Sequence, residues 1–168
     1  MTILADYSEA EQELLRSAVA SAAMAVSAAS LGRKEETVSE GFAAADMVLK
    51  SQPDYVGNTL VTSILAQVQE DLKTGHVFPN YLERASAPGT YDESLIVIGR
   101  AVKLLEQKSE PVEAAGYKGW LMDVARAVAE AGKEDQGFLG HGGVMVNDAE
   151  RAALAAIAET LGLESDAA

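Results

Sequence analysis

The side chains in this sequence best suited to chemistry gather around one glycine-rich segment. Gly137 to Val146 reads GFLGHGGVMV, and inside it His141 is followed by Gly142 and Gly143. Small neighbours leave backbone amides open and permit positive φ. Such backbone ahead of a helix N-terminus can hold an anion. His141, Gly142 and Gly143 are therefore the candidate ligand-binding residues. Carboxylates bracket the same segment: Glu134 and Asp135 precede it, and Asp148 and Glu150 follow it. Glu130 lies one turn before Glu134 on the same helix face. Converging oxygens would suit a hard divalent cation such as Ca2+ or Mg2+. Glu134, Asp135, Asp148 and Glu150 are the candidate metal set. The competing account makes them solvated helix ends flanking a plain connection, and Asp148 and Glu150 would oppose an anion there.

Other chemistries lack their motifs. The glycine-rich segment has neither the Gly-Lys-Ser/Thr ending of a P-loop nor a dinucleotide fingerprint. It lacks EF-hand spacing. No Gly-x-Ser-x-Gly elbow and no His-Glu-x-x-His pair occurs. The chain has no cysteine, which removes disulfides, thiolate ligands and thiol nucleophiles together. His76, the other histidine, falls in a second loop. No catalytic residue and no cofactor beyond a divalent cation is assigned.

Charge narrows the partners. The sequence carries 13 Lys and Arg against 26 Asp and Glu, a net charge of -13. That surface repels phosphate backbones and anionic headgroups, which argues against nucleic acid and membrane and leaves basic partners or cations. The acidic start MTILADYSEAE does not read as a signal peptide. Ala18 to Ala29 is apolar but small-residue-rich, so it reads as a buried helix rather than a membrane span.

Helices must position these groups. The four-residue pattern of a capping box occurs at Ser8–Glu11, Thr37–Glu40, Thr90–Glu93 and Asn147–Glu150. The first predicts a helix to about Ser30 with Val19, Ala22, Ala23, Val26 and Ala29 on one face. The second predicts a helix to about Lys50 with Val38, Phe42, Ala45 and Leu49 at helical spacing. Pro53 opens a third, whose stripe is Val56, Leu60, Ile64, Val68 and Leu72. Residues 75–89 read as a loop with one helical turn at Asn80 to Arg84. The Thr90 box predicts a helix to about Gln107 with Leu95, Ile96, Ile98, Val102 and Leu105 buried. Ser109-Glu110-Pro111 starts a helix to about Glu134, with Trp120, Leu121, Val124 and Val128 on its apolar face and Gly116 or Gly119 as places where it could break. Asn147 opens the last, carrying Leu154, Ile157, Ala158 and Leu161, and Gly162 ends it.

The expected fold is all-α: one domain over residues 1–168, a bundle of about six helices with a frayed tail at 164–168. An Ala-rich helix, a polar loop, a cap and a second Ala-rich helix occur near residues 18–49 and again near 120–162, so two related halves are a further reading.

Ala-Met-Ala-Val-Ser-Ala-Ala-Ser-Leu-Gly (23–32), followed by the Thr37 pattern, resembles the helix–loop–helix of the tellurite-resistance TerB-like family. Val-Asn-Asp-Ala-Glu-Arg-Ala-Ala-Leu-Ala-Ala-Ile-Ala-Glu-Thr-Leu-Gly (146–162) is similar to that family's closing helix. The two stretches cover about a quarter of the chain. The resemblance implies an all-helical fold, an association with metal stress and an acidic metal-binding site. The family usually places an acidic residue after its first Ala-rich helix, where this chain reads Ser30-Leu31-Gly32-Arg33-Lys34. The expected function is a non-enzymatic cytoplasmic protein that binds a protein partner or a cation. The alternative is a small-molecule enzyme or ligand-binding bundle with its site at residues 137–146.

Overall fold

The computed structural model describes residues 2–30, 34–51, 54–74, 81–131 and 146–163. They form a 3-10 turn, Leu4–Asp6, and seven helices. These are α1 (Glu9–Ala29), α2 (Lys34–Lys50), α3 (Thr59–Lys73), α4 (Tyr81–Ala85), α5 (Thr90–Lys108), α6 (Pro111–Ala131) and α7 (Asp148–Leu161). No strand occurs among the described residues, so the chain is an all-α bundle.

Small side chains let α1 lie at the centre. Ala18, Ala22, Ala23 and Ala25 are fully buried beside Val19 and Val26. Helix α1 packs on α5, α6, α7 and α4, while α6 also carries α2 and α3. Helices α1 and α6 touch, α1 meets α7, and α6 meets α2. Each fully buried Leu or Ile, such as Leu15, Leu60, Ile98 or Ile157, contributes about 1.5–3 kcal/mol. The apolar face expected for α6 is buried, and α6 runs unbroken through Gly116 and Gly119.

Two of the four capping patterns form as expected. Glu11 accepts the Ser8 N–H at 2.9 Å, and Asn147 Oδ1 accepts the Glu150 N–H at 2.9 Å. The other two do not. Helix α2 begins at Lys34, which puts Thr37 inside it, buried among core residues. Helix α5 is capped by Gly89 at φ 85, a left-handed conformation that suits glycine, and Thr90 turns its hydroxyl back onto the Arg84 carbonyl at 2.7 Å. Helix α3 starts later than expected, because Asn58 Oδ1 accepts the Val61 N–H at 2.9 Å and caps it. Val56 therefore sits in the preceding turn, exposed, and not in the α3 stripe. Ile96 is also exposed: Ser94, Ile98, Ala101, Val102 and Leu105 define the buried side of α5, and Ile96 falls off that face.

Hydroxyls stitch the core. The Tyr117 hydroxyl donates to the Leu15 carbonyl at 2.6 Å, and the Tyr81 and Ser27 hydroxyls lie 2.9 Å apart. The Tyr55 hydroxyl donates to Asp123 Oδ2 at 2.5 Å. Burial first of all raises the pKa of all three phenols, and the Asp123 carboxylate adds to it at Tyr55. The fold holds these phenols neutral, whereas unfolded tyrosine ionises near pH ~10. Their stabilisation is therefore complete below about pH 10 and is lost as pH rises above it. In an alkaline titration, tyrosinate absorbance from these three should emerge together with loss of the helical circular-dichroism signal. Ionisation near the ordinary value with helicity intact would contradict this.

Candidate functional site

The residues expected to carry chemistry divide into two groups. His76, Glu134, Asp135, His141, Gly142 and Gly143 lie outside the described residues. Asp148 and Glu150 are described, and they do different work. Asp148 stands in solvent, its side chain 97% exposed, paired with Arg151. Glu150 is buried and used up in the cap: it accepts the Asn147 N–H at 2.8 Å and the Ser30 hydroxyl at 3.2 Å. Two residues apart at a helix start, these carboxylates end in different surroundings. Among the described residues, no three His, Asp or Glu side chains gather as a metal site.

A polar cleft of about 470 Å3 opens between α1, the end of α3, α4 and α5. Its centre is Arg16, which bridges helices: Nη1 donates to Asp71 Oδ2 at 2.8 Å and Nη2 to Glu13 Oε2 at 2.6 Å. Gln67 donates to the other Asp71 oxygen at 3.0 Å. The two carboxylates and Arg16 largely satisfy one another, so the cluster ties α1 to α3. Arg84, Ser17, Ser21 and Val97 complete the wall. The Ser17 hydroxyl donates to Glu13 Oε1 at 3.3 Å, a carboxylate whose other oxygen is already held by Arg16.

The surface of α2 is different. Its inward residues are Thr37, Glu40, Ala44 and Val48, with Ser51 just past its end, all buried: three small or polar, Val48 apolar and Glu40 charged. Its large apolar residues face out: Phe42 is 74% exposed, Leu49 49% and Val38 42%. At about 100° per residue, the outer set lies roughly 140° around the helix from the inner one. Specific contacts fix this rotation. Gly41 presses on the Tyr81 ring so closely that a Cβ would stand 2.9 Å from Cδ1. At the other end, Trp120 Nε1 donates to the Ser51 hydroxyl at 3.2 Å.

Beside this face runs a groove of about 560 Å3 between α2 and the end of α6. Phe42, Ala43, Met47, Ala127 and Ala131 give it apolar walls. Asp46, Lys50 and Glu130 stand at its polar edge. Lys50 is taken by Asp46 at 2.7 Å, while no cation pairs with Glu130 among the described residues. The chemistry open to such a surface is association: apolar area to bury, and carboxylates to orient what covers it.

The spacing of Val38, Phe42, Ala45 and Leu49 gave the helix but not its direction, because Thr37, Glu40, Gly41, Ala44 and Val48 have helical spacing too. The usable signal was Gly41, a residue placed where another ring comes close.

The molecule is thus an all-α bundle whose second helix presents an apolar face beside a groove. No family model matches the chain, and no curated protein or solved structure matches it either.

Proposed function

We propose that this chain is a non-enzymatic helical protein that works by binding a protein partner through the outer face of α2. The observation that carries the reading is the exposure of Phe42, Val38 and Leu49 on a helix whose rotation is held by Gly41 and Ser51. Exposed apolar residues scattered singly are ordinary, but three on one stripe beside a groove mark an interaction surface. No described helix is long and apolar enough to cross a membrane. A cytoplasmic setting and a TerB-like, stress-associated role belong to the same proposal and rest on the stretches 23–32 and 146–162. Its divalent-cation arm rests on Glu134, Asp135 and Asp148, because Glu150 serves as a cap.

The test is site-specific photocrosslinking in the native cell. A crosslinking side chain at Phe42 should yield a discrete heterologous adduct, and one at Val112, equally exposed at 77% but on α6, should not. Equal labelling from both positions, or none from Phe42, would count against the reading.

A further inference from the structure

We propose that the α2–α6 groove takes an amphipathic helix of a partner protein whose flanking charges are Lys and Arg. The inference rests on the reading of α2 as a docking surface and adds the class of partner.

The shape argues for a helix. From Val38 to Leu49 the exposed stripe runs over eleven residue steps of α2, or about 17 Å at 1.5 Å per residue. That is three turns, more than the two turns over which a docking helix presents apolar anchors at i, i+3 or i+4, and i+7. Phe42 belongs both to this stripe and to the groove wall. An anchor entering the groove would meet Phe42, Ala43, Met47 and Ala131. No sheet edge is present among the described residues to capture an extended peptide instead.

The charge argues for a basic one. Glu130 stands at the edge without a cation among the described residues; Asp46 is already paired with Lys50, so Glu130 supplies the uncompensated charge of this edge. The nearby cations are already taken, Lys50 by Asp46 and Arg126 by Asp123. The whole chain carries -13, which attracts a cationic partner at long range. A second copy brings the same -13 to the contact, so stacking two α2 faces works against like charge. Anionic membrane surfaces are disfavoured for the same reason.

The experiment uses the full chain and a labelled peptide of Leu and Lys, roughly 18 residues or five helical turns, with Leu at helical spacing. Two companions are a Leu/Glu peptide of the same pattern and a scrambled Leu/Lys peptide. Binding is read by fluorescence anisotropy, and self-association by sedimentation. The Leu/Lys helix should bind the wild-type chain. Phe42→Ser should weaken it about tenfold or more, and Asp46→Asn with Glu130→Gln about threefold to tenfold, with a flatter salt dependence. Val112→Ser should change nothing, and melting temperatures should confirm that every variant folds. Tighter binding of the Leu/Glu peptide, lost in Phe42→Ser, would overturn the basic partner and keep the docking surface. A dimer abolished by Phe42→Ser, with no peptide bound, would do the same in favour of a second copy. Equal binding of the scrambled peptide, binding indifferent to Phe42→Ser, or no association of any kind would overturn the docking surface itself.

Discussion

Trp120→Ala should destabilise the protein by about 3–5 kcal/mol, lowering the melting temperature by on the order of 10 °C. Trp120 has no exposed surface. Its ring meets Tyr117 edge-on, with centroids 6.0 Å apart and planes at 74°, and Tyr55 at 6.5 Å. Such edge contacts add to the burial of a large apolar ring. Truncation leaves a cavity bounded by α2, α6 and the turn before α3. It also takes the donor from the Ser51 hydroxyl, and with it one of the contacts that fix the rotation of α2. Ser51 itself keeps its bond to the Met47 carbonyl at 2.5 Å, so the loss is mainly packing. Since Trp120 is the only tryptophan, its fluorescence reports on the site directly. Native emission should be blue-shifted and should move red on unfolding. A loss under 1 kcal/mol, or native emission like that of indole in water, would contradict the packing described here.

How much of this was legible from the sequence depends on the range of the interaction. The Ser8 and Asn147 boxes formed because a cap and a carboxylate three residues on need nothing else. Thr37 and Thr90 carry the same local pattern, but tertiary contacts decided otherwise. Thr37 was drawn into the core as α2 extended back to Lys34, and Gly89 took the capping position of α5. The faces of α1 and α6 were legible because one apolar stripe dominates each. On α2 two stripes compete, and the smaller side chains won the interior because Tyr81 comes so close to Gly41. Arg16–Asp71 links residues 55 apart, and no local pattern shows such a pair. Of the candidate site, the sequence supplied Asp148 and Glu150 as neighbours but could not show that one caps a helix while the other faces water. The hydroxyls of Ser27 and Ser30 bond Tyr81 and Glu150 across the bundle, partners that no local pattern in the Ala-rich segment shows.

Glu113→Ala should cost about 2–3 kcal/mol at neutral pH, and Glu113→Gln somewhat less. Glu113 is the third residue of α6 and is 5% exposed. Its carboxylate accepts the Thr2 N–H at 2.8 and 3.0 Å, the Thr2 hydroxyl at 2.7 Å and the Thr59 hydroxyl at 2.6 Å. It thereby holds the N-terminal segment and the start of α3 to the start of α6. The Asn58 amide reinforces the junction, donating to the Glu113 carbonyl at 3.0 Å, and it lies so close to Gly116 that a Cβ there would meet Nδ2 at 2.2 Å. Burial acts to raise the Glu113 pKa, but the hydrogen bonds from Thr59 and Thr2 outweigh it and hold the carboxyl below its ordinary value. A pKa lowered by folding stabilises the native state above the unfolded value, about 4.3, and that contribution disappears as pH falls through the folded value. The neutral amide of Glu113→Gln keeps one acceptor, turns an N–H2 toward two of the three donors and does not titrate. The gap in stability between wild type and Glu113→Gln should therefore be full at pH ~7 and narrow progressively below pH ~4. Urea unfolding at both pH values measures it. A gap that stays constant with pH would mean that Glu113 holds this junction through shape alone, with its charge playing no part.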